Sequence, residues 1–180
     1  MRLRHLVVIA ISCTEGIFAS LAPNCIKAFN SISPRRFIEA AQHESCKAGC
    51  SLPTDLWGVL GKDTMHKLAE DGSSYLGIQE GKEGMVDFLD TMFQELRGRC
   101  GSAFEEAQLE GCQDSLQAKN AIKCAEDNSR TAKMHALKFL LPYITADRCK
   151  KVGEYFESTQ LWETSFPKHA QNQVNSCNEL

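Results

Sequence analysis

Eight cysteines, Cys25, Cys46, Cys50, Cys100, Cys112, Cys124, Cys149 and Cys177, carry the most definite chemistry in this chain. A thiol set of that size either ligates metal or oxidises to disulfides, and the redox compartment decides which. The N-terminus points to an oxidising one. A basic start, Met1 to His5, runs into the apolar stretch Leu6 to Ile11, and the small residues Ala19 and Ser20 offer a cleavage point, the pattern of a secretory signal that only Glu15 interrupts. Cleavage after Ala19 removes Cys13 and turns an odd total of nine into an even eight. The expectation is therefore a signal peptide over residues 1–19 and a single cysteine-rich domain over 20–180, secreted and extracellular, its eight cysteines paired as disulfides in an order the sequence does not give.

The remaining candidates for chemistry are histidines beside carboxylates. His43 follows Glu39 by four residues, and His66 lies three after Asp63 and four before Glu70, so each can meet an acid on one helical turn. Such a pair can orient an imidazole for proton transfer or metal binding, but it equally describes an ordinary exposed polar face. His135 and His169 have no local acidic partner, and no two histidines stand at the i, i+4 spacing of a helical zinc site. No Gly-x-Ser-x-Gly turn occurs, and Gly61-Lys62 is followed by Asp63 where a phosphate loop requires a hydroxyl. The sequence predicts no catalytic, cofactor-binding or metal-ligating set, and a protein that is not an enzyme.

Helices must position whatever site exists. Met85, Val86, Leu89, Met92, Phe93, Leu96 and Cys100 fall on one helical face, with Asp87, Asp90, Gln94, Glu95 and Arg97 opposite. Gly98 and Gly101 are expected to break or bend that helix near Cys100. Ser33-Pro34 starts a second helix with Phe37, Ile38 and Ala41 inward, and Cys46 and Cys50 share its face if it continues. Asp63 is expected to cap a short helix that carries Met65, Leu68 and Ala69 and ends at Gly72. The pattern Phe104, Ala107, Gln108, Cys112, Leu116, Asn120 and Cys124 predicts helix between Ser102 and Ala125, with a break at Gly111. Separate helices are expected over Thr131 to Leu141, stopped by Pro142, and from about Asp147. Leu161, Trp162 and Phe166 form a final apolar patch before Pro167, and a polar tail from Lys168 follows, tied down by Cys177. Alternating strand patterns are scarce, so the predicted fold is all-α, a compact disulfide-stapled bundle of about five to six helices.

Composition narrows the partners. Loss of Arg2, Arg4 and Glu15 with the leader moves the net charge from −3 to −4, unfavourable for nucleic acid or anionic membranes, and no later apolar run approaches a membrane span. The cysteines Cys46 and Cys50 enclose three residues, a spacing that resembles the second and third cysteines of insect odorant-binding proteins, which are secreted helical carriers. The Cys50-to-Cys100 and Cys112-to-Cys124 intervals are wider than in that family, and the chain is not assigned to it. Export and staples without a catalytic set predict a non-enzymatic protein that binds an extracellular protein or matrix partner. The alternative is a carrier of a small hydrophobic ligand, lipid or odorant-like, in a pocket drawn from Phe88, Met92, Phe93, Phe104, Met134, Phe139, Tyr143, Trp162 and Phe166, residues that would otherwise fill a core. A secreted hydrolase using His43 or His66 is the third class.

Overall fold

A computed structural model describes residues 23–48, 60–77, 79–108, 112 and 115–174, and among these every regular element is helical. In chain order they are α1 (Pro23–Ser31), α2 (Pro34–Lys47), α3 (Lys62–Leu76), α4 (Lys82–Gln108) and α5 (Leu116–Ala136). Two 3₁₀ turns (Leu137–Phe139 and Leu141–Tyr143), α6 (Ala146–Glu157), a π-helical turn (Gln160–Ser165) and α7 (Phe166–Val174) complete the series. The disulfide-stapled all-α bundle expected from the sequence is what the chain forms. Three bridges join Cys25 to Cys149, Cys46 to Cys112 and Cys100 to Cys124, while Cys50 and Cys177 lie outside the described residues, as does the leader.

The core is organised around Phe37 of α2, which is fully buried. Its ring meets Phe93 at 5.4 Å, Trp162 at 5.0 Å, Phe166 at 5.9 Å and Phe156 at 6.1 Å, mostly edge to face. Ser33 caps α2 as expected, its hydroxyl accepting from the Arg36 amide, with Pro34 at the first helical position. The most extensive helix pair is α4 with α5, and α1 pairs chiefly with α6.

Several helix limits differ from the sequence reading. Gly98 and Gly101 do not break α4, which runs on to Gln108. A Cβ at either glycine would meet nothing, so both sit on the open side. Leu96, Cys100, Phe104 and Ala107 keep the opposite face buried, and burial outweighs the propensity cost of glycine. Gly111 lies outside the described residues. The segments expected to be separate helices before Ala125 and after Thr131 are one helix, α5. Its buried stripe is made of Ala118, Ala121, Ala125, Ala132 and Ala136, too small to register as an apolar face. Asn128 fills the gap in that stripe, donating to the Cys124 carbonyl at 2.9 Å beside the Cys100–Cys124 bridge. Leu116, expected inward, is exposed.

Asp63 sits in the first turn of α3 but the cap is Gly61, and the helix passes through Gly72 to Leu76. Gly72 is not a terminator. The Tyr155 ring lies against it so closely that a Cβ would be 2.7 Å from Cε1. The helix ends instead at Gly77, whose φ of 64° is the left-handed geometry glycine adopts without penalty. At the other end of the chain Pro167 does not stop the helix. The π-helical turn before it, in which the Phe166 amide bonds back to the Leu161 carbonyl, shifts the register, and proline falls in the first turn of α7. The segment expected to be a polar tail from Lys168 therefore begins as helix, with His169 and Ala170 buried.

Candidate functional site

Between α1, α3, α6 and the start of α4 the side chains leave a cavity of about 100 Å³. Helix α1 offers Cys25, Ala28 and Phe29 to it, and α3 offers Leu68, Ala69, Gly72, Ser73 and Leu76. Gly72 admits the Tyr155 ring, and Ala28 lies against Gly153 of α6, so α1, α3 and α6 approach closely around the space. From α6 come Cys149, Val152, Tyr155 and Phe156, and from the turn after α5 come Leu137, Leu140, Tyr143 and Ile144. Phe37 and Leu161, both fully buried, line it from the aromatic core.

The walls are held in place by specific bonds. The Cys25–Cys149 bridge ties α1 to α6 and is itself part of the lining. Lys133 of α5, buried, donates from Nζ to the Phe29 carbonyl at 3.1 Å and the Ile32 carbonyl at 3.2 Å, satisfying acceptors left over where α1 ends. Burial lowers its pKa to about 8. Tyr155 donates to the Leu68 carbonyl at 3.2 Å and so fixes α6 against α3, and burial pushes its phenol up to about 12.

The lining carries two charges. Lys82 and Arg148 are the charged residues of the lining. Lys82 Nζ stands 3.7 Å from Glu70 and 3.8 Å from Glu83, and Arg148 pairs with Glu80. Lys151 donates to the Leu76 carbonyl at 3.2 Å, so α6 is laced to the segment between α3 and α4 at this edge. The half-buried residues Leu76, Met85, Leu140 and Tyr143 stand with these cations in the lining, in contrast to the buried residues of the opposite walls.

The histidines find acids, though mostly not the expected ones. His43 lies 3.1 Å from Glu44, because Glu39 is engaged by Arg35 at 2.7 Å, and His66 approaches Glu83 at 4.0 Å, because Glu70 meets Lys82. His135 pairs with Glu95 across α4 and α5 at 3.2 Å. His169, without a local partner in sequence, lies 2.8 Å from Asp71 of α3, a tertiary contact that no spacing rule could reveal. Neither His43 nor His66 lines the cavity. Among the described residues no group of three or more His, Cys, Asp or Glu is placed to hold a metal ion, and no helix is long and apolar enough to cross a membrane.

Of the aromatic and methionine residues expected to form a pocket, Tyr143 lines the cavity, whereas Phe88, Met92, Phe93, Phe104 and Phe166 are core. The residues that matter instead include Cys25, Ala28, Phe29 and Ile32. Their 3, 1, 3 spacing after Pro23 is a helical signal that composition obscured, because the segment is short.

No family model matches the chain, and neither a curated protein nor a solved structure matches it. The three disulfides fit an extracellular protein, since such bridges persist in oxidising compartments.

Proposed function

We propose that this protein is an extracellular, non-enzymatic carrier that holds a small hydrophobic ligand between α1, α3 and α6. The cavity is the observation that carries the reading. An apolar concavity with a few convergent polar groups at one end is the usual form of a small-ligand site, and a closed apolar cavity of about 150 Å³ is enough for benzene. A volume of about 100 Å³ suits the short hydrocarbon part of a ligand whose remainder reaches the charged edge. Secretion is supported by the bridges and by the leader pattern of residues 1–19.

The reading that places a macromolecular partner first has less to stand on. The large exposed apolar side chains among the described residues, Ile26, Tyr75, Leu116 and Leu141, belong to four different elements. A hydrolase using His43 or His66 gains nothing from geometry, since both sit outside the cavity.

Binding of a small apolar fluorophore to the oxidised protein tests the proposal. Saturable enhancement in the micromolar range is expected, together with its loss in Ala69→Leu, which places three further carbons on the cavity wall at little cost to the melting temperature. Absence of saturable binding by the wild-type protein would overturn the carrier reading.

A further inference from the structure

The charged edge of the cavity specifies the other half of the ligand. Lys82 and Arg148 line the cavity, while the carboxylates that pair with them do not. Exposure orders the pairs in the same way. The side chains of Lys82 and Arg148 are 24% and 34% exposed, against 56%, 76% and 69% for Glu70, Glu80 and Glu83. The cations thus lie inward, towards the apolar space, and the acids cover them from the solvent side. Ammonium and guanidinium groups are donors only, so a head group that meets both must supply acceptors. A carboxylate supplies two, and with arginine it can form two parallel bonds. Exposed ion pairs are weak, so exchanging Glu80 for a ligand carboxylate at Arg148 forfeits little. Deeper in, Phe37 and Leu161 offer no group for a second polar head.

We propose that the ligand is an amphipathic monocarboxylate whose short hydrocarbon chain occupies the cavity and whose carboxylate sits between Lys82 and Arg148. This rests on the carrier reading and adds the charge of the head group. Titration calorimetry of the full-length oxidised protein at pH 7 with hexanoate and, in parallel, hexan-1-ol tests it, because the two probes share a tail and differ in charge. Hexanoate is expected to bind about tenfold more tightly. Added salt should weaken hexanoate and leave the alcohol unchanged. In the double variant Lys82→Gln, Arg148→Gln, hexanoate should lose its advantage over the alcohol, and a melting temperature near that of the wild type reports an intact fold. Equal affinity of the two probes for the wild-type protein would overturn the anionic head group and leave the carrier standing; no binding of either would remove both.

Discussion

Around Phe37, four aromatic rings close on one buried side chain, whereas between α1, α3 and α6 the chain places Ala28, Ala69 and Gly72 and leaves a cavity. Cys25–Cys149 staples α1 to α6 in the cavity wall, while Cys100–Cys124, which does not line the cavity, joins α4 to α5. The staples do different work. Helices α4 and α5 already share the most extensive interface of the molecule, and their bridge closes a span of 24 residues. Helix α1 has nine residues, too few to persist alone in water, and its bridge reaches across 124. A wall beside a cavity receives less packing energy than a wall in the core, so covalent and hydrogen-bonded ties to its neighbours replace part of it.

The largest effect that would sharpen this contrast comes from the bridges. Replacing Cys25 and Cys149 together by alanine is expected to lower stability by roughly 4 kcal/mol and to abolish ligand binding. Replacing Cys100 and Cys124 should cost roughly 3 kcal/mol and leave binding intact. Denaturant unfolding and the fluorophore titration read the two quantities separately, and equal loss of binding in both variants would break the distinction between the two sides.

Next in size is a pH effect at the end of α1. Lys133 titrates near pH 8 in the fold, against 10.5 for an ordinary lysine side chain, because burial disfavours its charged form. As pH rises from 8 towards 10 the folded protein has already released a proton that the unfolded chain still holds, so stability increases with pH across this window, by on the order of 2 kcal/mol. Above pH 10 the trend reverses. The Tyr155 phenol ionises in the unfolded chain but stays neutral in the fold until about 12, and stability then falls. Thermal melts of Lys133→Met should show no rise between pH 8 and pH 10 and a lower stability at neutral pH, since the Phe29 and Ile32 carbonyls lose their donor. A rise that persists in the variant would assign the effect elsewhere.

The smallest pair of effects compares two glycines. At Gly98 a Cβ has open space, so Gly98→Ala should stabilise by about 0.5–1 kcal/mol, whereas at Gly72 it would collide with the Tyr155 ring and Gly72→Ala should destabilise by about 1 kcal/mol or more. Melting temperatures that move in the same direction would contradict the packing assigned to α3 and α6.

Much of the scaffold is legible in the residues alone. The one-sided run from Met85 to Cys100 is the buried face of α4, the Ser33-Pro34 start of α2 is a capped proline start, and α6, capped by Thr145, begins at Ala146, one residue before the helix expected near Asp147. These are local signals, set by side-chain periodicity and by the hydrogen-bond needs of helix ends. The departures share a cause. Gly72, Gly98 and Gly101 are all breakers by local propensity, and each is overridden by a tertiary effect worth more than the propensity lost.

The candidate site is the least legible part. Large aromatics advertise apolar space in a sequence, but here most of them fill the core, and the cavity is lined in part by alanine, glycine and half-cystine residues that no apolar pattern marks. The sequence by itself determined the all-α class and the faces of its principal helices, because these follow from periodicity and turn chemistry along the chain. Only the tertiary structure decided which cysteines pair, which acid each histidine meets, and that Lys82 and Arg148 both line an apolar cavity. Those are relations between residues up to 124 positions apart, fixed by how helices pack and where packing falls short of filling space.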